Sequence, residues 1–250
     1  MTDQLPNHLP PSPFSPTGDP VDASEGGSAR ILVTAGPTWE PIDSVRYVGN
    51  RSSGLMGAEI AIAASNLGHH VTLLRGPGAV APSPRSQIET IRFQTAADLQ
   101  RALRAHWPSH EVLFMAAAVA DFRPRNPDAD PSKKRRREDG PFDLELEPVP
   151  DLLAEIAGLP HPGTRIGFAL EPMDGLENRA RAKMARKKLD AIVANPLHTM
   201  ESDRIDGSLL LPDGETICPP QRPMTKADFA AWLVPAAVSI HRRRSGPPAP

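Results

Sequence analysis

The residues best equipped for chemistry lie in one short run, Asn50-Arg51-Ser52-Ser53-Gly54. An amide, a guanidinium and two hydroxyls beside a glycine can donate hydrogen bonds to phosphate oxygens or to a developing oxyanion. Small residues there also let backbone N–H groups approach closely. Upstream, Ile31-Leu32-Val33 is a short apolar strand that breaks at Thr34-Ala35-Gly36-Pro37. After a polar loop, the alanine-rich Ala58 to Leu67 reads as a helix. Strand, Gly/Ser-rich loop, helix is the order in which an α/β sheet offers a helix N-terminus to an anion. The common fingerprints do not fit. Gly49 and Gly54 have P-loop spacing, but Leu55-Met56 replaces Lys-Ser/Thr; no GxGxxG follows the strand, and Ser52 lacks the glycine two residues earlier of a nucleophile elbow. A tight βα connection without a ligand is the bland reading; phosphate or nucleotide binding is the functional one.

A second constellation, Ala116-Ala117-Ala118-Val119-Ala120-Asp121-Phe122, lies just beyond a predicted buried strand, Val112 to Met115. Open α/β sheets bind ligands there, and small side chains leave room for a base or sugar that Asp121 could accept hydrogen bonds from. Pro150-Asp151-Leu152-Leu153 opens a short helix with Asp151 as cap. Phe168 ends a strand and could stack on a base. Lys183 and Lys187, at i and i+4, share a face of a strongly charged helix, where a solvated basic face is the bland reading.

The run from Thr34 to Gly57, TAGPTWEPIDSVRYVGNRSSGLMG, closely resembles the signature of phosphopantothenate–cysteine ligases, TAGPT-x-EPID-x-VR-(Y/F)-I-(S/T)-N-x-SSG-x-(M/Q)-G, with Gly49 replacing the Ser or Thr before Asn50. The resemblance extends over about residues 30–240. It implies a nucleotide site formed by Gly36, Ser52, Ser53, Gly54, Ala116, Ala117, Asp121, Pro150, Asp151, Leu152, Leu153, Phe168, Lys183 and Lys187. It also implies a catalytic, nucleotide-binding lysine in the basic run Lys133 to Arg137, Lys133 with Lys134 as the alternative, reaching over the reacting phosphate. In that mechanism phosphopantothenate attacks CTP (ATP in some relatives), with Mg2+, to give an acyl-nucleotidylate that L-cysteine then opens. Asn50 is expected to position the acyl group and act on its carbonyl oxygen, and Arg46 to anchor phosphopantothenate. Two departures stand out: Leu170 and Pro172 alter GFAAET, and Asn195-Pro196 replaces an Asn-Asp pair.

Those residues need a scaffold. Alternating segments read as strands at Val71–Leu74, 165–169 and 191–194, and as helices at Thr95–Trp107 (Asp98 in the first turn), 151–157, 175–189 and from Thr225 to about His241. A hairpin is expected around Pro212-Asp213-Gly214. The expectation is a doubly wound, mostly parallel α/β sheet, Rossmann-like, with a small hairpin. Residues 30–241 form one domain between disordered tails at 1–29, rich in Pro, and 242–250.

Composition narrows the setting. The formal charge is −2, and one cysteine, Cys218, allows no internal disulfide. The most apolar run is too short to span a membrane, and no metal-ligand spacing is apparent. The expectation is a cytoplasmic homodimeric ligase without nucleic-acid or membrane partners, a stand-alone form served by a separate flavin-dependent decarboxylase. A regulatory nucleotide-binding protein or a dinucleotide-dependent oxidoreductase on the same fold are the alternatives.

Overall fold

The protein is described by a computed structural model that covers residues 27–83, 87–125 and 134–246. Nearly all of the expected N-terminal tail, Lys133, and residues 247–250 lie outside the described residues.

The chain begins with β1 (Arg30–Ala35), a hairpin of β2 (Trp39–Pro41) and β3 (Tyr47–Gly49), and α1 (Leu55–Asn66). β4 (His70–Arg75), β5 (Ile88–Arg92), α2 (Ala96–His106) and β6 (Val112–Met115) follow. A ribbon of β7 (Phe122–Pro124) and β8 (Leu146–Pro148) precedes α3 (Leu152–Ala157), β9 (Thr164–Glu171), α4 (Leu176–Arg186) and β10 (Ala191–Pro196). The last elements are β11 (Arg204–Ile205), β12 (Ser208–Leu210), β13 (Thr216–Ile217), β14 (Met224–Thr225) and α5 (Lys226–Ser245).

The main sheet has the order β13-β12-β10-β9-β6-β1-β4-β5. Its strands from β10 to β5 pair in parallel, while β12 and β13 add antiparallel. Counting only the parallel strands gives the doubly wound order, which reverses between β1 and β6. The alternation of side chains splits each strand between two cores. Ile31, Val33 and Ala35 pack with Val112, Phe114, Ile166 and Val193 beneath α1 and α5. Leu32, Leu113, Met115, Ala169 and Ile192 pack beneath α2, α3 and α4. A buried side chain of this size contributes about 1.5–3 kcal/mol, so a one-residue slip would be costly on both faces.

The helices start where the caps lie. Thr95 and Asp98 form a full capping box on α2, Asp151 caps α3, and the Thr225 hydroxyl accepts from Asp228 N–H on α5. Four differences from expectation stand out. α1 starts three residues early, at Leu55, because Gly54 adopts a left-handed conformation that turns the chain directly into the helix. α4 stops at Arg186, as Lys188 takes φ +50° and cannot continue it. α5 runs to Ser245, past the expected end at His241, and Arg242 donates to the Gly27 carbonyl. Finally, the expected polar loop before Asn50 is the β2–β3 hairpin.

Candidate active site

The sheet order reverses between β1 and β6, and the two glycine- and alanine-rich runs leave the sheet there side by side. The backbones of Pro37 and Ala118 form a bridge; Thr38 N–H donates to Ala118 O (3.2 Å) and Ala118 N–H to Gly36 O (2.9 Å). Two buried hydroxyls lock this junction. Thr34 Oγ1 accepts Ala117 N–H (3.0 Å) and Thr38 Oγ1 accepts Ala120 N–H (3.0 Å). Thr34 and Thr38 lie within the TAGPT motif but were not singled out from sequence. A threonine in a strand reads as propensity until its neighbour across the sheet is known.

Asn50 sits at the end of β3, exposed, and its Nδ2 donates to Val119 O (2.9 Å). That bond ties the Asn50–Gly54 loop to the Ala116–Asp121 segment. One amide hydrogen and the Oδ1 remain for a ligand. Ser52 Oγ accepts from Gly54 N–H (3.3 Å) and Ser53 Oγ from Leu55 N–H (3.4 Å), so both hydroxyls steady the entrance to α1. Gly36 and Gly54 both have positive φ, and a Cβ on either would lie 2.6 Å from Ala79 Cβ. These glycines therefore serve close packing of the 76–80 segment onto the junction.

Asp121 is exposed and its carboxylate has no partner among the described residues, while its carbonyl accepts Val149 N–H (2.9 Å). Ala116 and Ala117 are half-buried beside it. On the far wall Asp151 accepts from Ala154 N–H (3.1 Å) and pairs with Lys187 Nζ at 3.0 Å. Burial pushes the Asp151 carboxyl up, but Lys187 and the Ala154 N–H outweigh it and hold it below the usual carboxylate range. Pro150 is exposed, whereas Leu152 and Leu153 are buried core, so that stretch offers a ligand its backbone and Asp151.

Lys183 donates to Phe168 O (2.9 Å), and burial, then the nearby Lys187 charge, pull its pKa below the usual lysine value. Two of the other bases of α4 are engaged elsewhere, Arg179 with Glu171 and the Pro172 and Asp174 carbonyls and Arg181 with Glu177 and the 211–216 turn. The Arg186 charge acts on both Asp151 and Lys183. The Phe168 ring is half-buried against the α1/α5 core, on the face of β9 opposite the two lysines; only its carbonyl meets Lys183.

Arg46 is already held. Its Nη1 donates to Asp43 Oδ2 (2.9 Å) and its Nη2 to Arg135 O (3.0 Å), which joins the β2–β3 turn to the basic segment. Lys134 is exposed at the start of that described segment, and Lys133 lies outside the described residues. The Asn195-Pro196 departure forms the end of β10: Thr199 Oγ1 donates to Asn195 Oδ1 (2.8 Å) and to Pro196 O (2.8 Å). Among the described residues no group of three acidic, histidine or cysteine side chains could hold a metal ion, and no helix is long and apolar enough to cross a membrane.

Comparison with known proteins places this geometry. The profile of the DNA/pantothenate metabolism flavoprotein C-terminal domain matches residues 27–240. The coenzyme A biosynthesis bifunctional protein CoaBC of Vibrio cholerae is 41% identical over 168 residues, covering 66% of this chain and 41% of that protein. The chain spans less than half the length of the curated relatives it matches. The crystal structure of the C-terminal domain of a CoaBC protein superposes with a TM-score of 0.69 at 32% identity, covering 85% of this chain and 94% of that one. A Cab2 variant in complex with phosphopantothenate-cysteine has the same fold, with a TM-score of 0.71 at 17% identity and 87% of each chain covered.

Proposed function

Because the chain belongs to the DNA/pantothenate metabolism flavoprotein C-terminal domain family, we propose that it ligates 4'-phosphopantothenate to L-cysteine at the expense of a nucleoside triphosphate. The observation that carries the reading is the Asn50 amide bonded to Val119 O, which sets a directed donor where the strand order reverses. In the reaction the phosphopantothenate carboxylate attacks the α-phosphate of CTP, forming an acyl–phosphate bond and releasing pyrophosphate. The cysteine amine then attacks the acyl carbon; the amide forms, the nucleoside monophosphate leaves, and the amine loses a proton.

Attack of one anion on another requires positive charge. Lys183 and Lys187 provide it from α4 and its C-terminal end, and the lysine of the basic run, Lys133 (or Lys134), adds to it. Lys183 is suited to the task, since one of its three donors holds Phe168 O and two remain. Magnesium would be carried in by the nucleotide, since among the described residues no group of three acidic, histidine or cysteine side chains could hold it. Ser52 and Ser53 orient the α1 entrance toward the phosphates, and Ala116, Ala117 and Asp121 border the nucleoside. The free Asn50 amide hydrogen faces the acyl oxygen as charge develops on it. Arg46, braced by Asp43, anchors the substrate phosphate.

We place the enzyme in the cytoplasm as a homodimer, alongside a flavin-dependent decarboxylase that consumes its product. The dimer is supported by exposed apolar side chains on the hairpin and on β7–β8, among them Val45 (59% exposed), Tyr47 (46%) and Phe122 (51%). Mass spectrometry of a reaction of phosphopantothenate, cysteine, CTP and Mg2+ tests the reading. The phosphopantothenoylcysteine mass is expected, and its absence from a folded sample would contradict the proposal.

A further inference from the structure

Outside the C-terminal ends of β4 and β5, on the α2 side of the sheet, lies a separate groove of about 680 Å3. No side chain assigned above to nucleotide or acyl substrate lines it. Its cationic wall is unusual for a parallel sheet. Arg75 and Arg92 stand directly opposite one another in the β4–β5 register, and both line the groove. Like charges opposite one another on adjacent strands destabilise the pairing unless something offsets them.

Among the described residues no carboxylate does so. Arg75 is half-buried and fixed, its Nε and Nη2 donating to Ala79 O at 2.9 and 2.6 Å, and no described carboxylate pairs with it. Arg92 is exposed and makes no ion pair among the described residues. The one acid on the wall, Asp98, is committed to the Gln94 and Thr95 N–H groups (3.2 and 2.9 Å) and to Arg101. Three guanidiniums against one carboxylate leave the groove with an excess of two positive charges.

An aromatic wall completes it. Trp39 lines the groove with its ring stacked on Tyr47, centroids 4.0 Å apart. Gly78 takes φ +67°, and the nearest atom to a Cβ built on it would be Trp39 Cζ2 at 3.6 Å, so its lack of a side chain leaves the indole uncovered on that side.

We propose that this groove is a second binding site for a nucleoside diphosphate or triphosphate, its phosphates between Arg75 and Arg92 and its base against Trp39. Guanidinium forks match phosphate oxygens, and a flat base stacks on indole.

The test is titration calorimetry of the full chain with ADP and, separately, with inorganic pyrophosphate. The protein carries Lys183→Ala and Lys187→Ala to weaken nucleotide binding between β1 and β6. Saturable ADP binding is expected to persist in that background. Adding Arg92→Ala should weaken ADP and pyrophosphate alike by about tenfold, the loss of one charge-assisted contact. Adding Trp39→Leu should weaken ADP and leave pyrophosphate unchanged, with circular dichroism confirming the fold of each variant. Loss of all ADP binding in the double-lysine protein, or indifference to Arg92→Ala, would overturn the site. Equal affinity for ADP and pyrophosphate before Trp39 is changed would overturn the stacking of the base.

Discussion

Asn50 and Gly54 are four residues apart and make opposite predictions. Asn50 is exposed, so Asn50→Ala should scarcely move thermal stability, yet lower kcat by about 100-fold or more, the usual loss for an oxyanion donor. Steady-state kinetics beside a melting curve checks this, and a stable variant with near-normal kcat would remove Asn50 from the chemistry. Gly54 combines φ +69° with a Cβ position 2.6 Å from Ala79 Cβ and 3.0 Å from Gly36 N. Gly54→Ala should therefore destabilise by ~1–3 kcal/mol in urea unfolding. Adding Ala79→Gly should recover only part of this, because it relieves the contact and not the backbone conformation. At this scale the motif residues were legible as a set, but their roles were not. The sequence cannot show that Ser52 and Ser53 turn inward to Gly54 and Leu55, or that the Phe168 ring and the two lysines occupy opposite faces of β9.

At the scale of elements, the β2–β3 hairpin carries Asn50 at one end and is fastened at the other by Asp43. That buried carboxylate accepts from Val45 N–H (2.9 Å), Arg46 N–H (2.8 Å), the Arg46 guanidinium and Arg135 N–H (3.3 Å). The Val45 N–H contributes most to holding its pKa below the usual value. Asp43→Asn keeps an acceptor for the turn but presents N–H groups toward Arg46 and Arg135. It should raise KM for phosphopantothenate by about tenfold, in line with one charged hydrogen bond, with kcat much less changed. A normal KM would detach Arg46 from the substrate. Sequence reading found the buried parallel strands and the capped helices because apolar runs, and Thr95, Asp151 and Thr225, announce them. It missed β2, β3, β7 and β8, which are three residues each and contain Pro41, Pro124 and Pro148. It missed β5 too, an edge strand reading Ile-Glu-Thr-Ile-Arg with no buried position.

For the whole molecule, the end of the sheet that carries the candidate site is balanced by an opposite end that depends on neutral histidines. His69 accepts Ala29 N–H, His110 meets Thr72 Oγ1 and the His106 carbonyl, and His241 contacts Thr164 Oγ1 with Glu111 at 3.8 Å. Burial is the main cause that lowers all three pKa values below the ordinary 6.5. The unfolded chain therefore binds these protons first. Stability is fully present above about pH 6.5 and falls as pH drops below it toward the folded values. Urea unfolding at pH 7.5 and 5.5 should show the loss, well above the acidic window of Asp43, Asp98 and Asp151; equal stabilities would contradict it. The doubly wound, mostly parallel class followed from alternation but the strand order did not, and this histidine end was invisible because the partners of residues 69, 110 and 241 are set only by the fold. The proposed activity joins all three scales, and the most direct measurement is pyrophosphate release with phosphopantothenate, Mg2+ and either CTP or ATP. Release should require phosphopantothenate, favour CTP, stop near one equivalent without cysteine, and turn over when cysteine is added. No release with either nucleotide from folded protein would contradict the ligase.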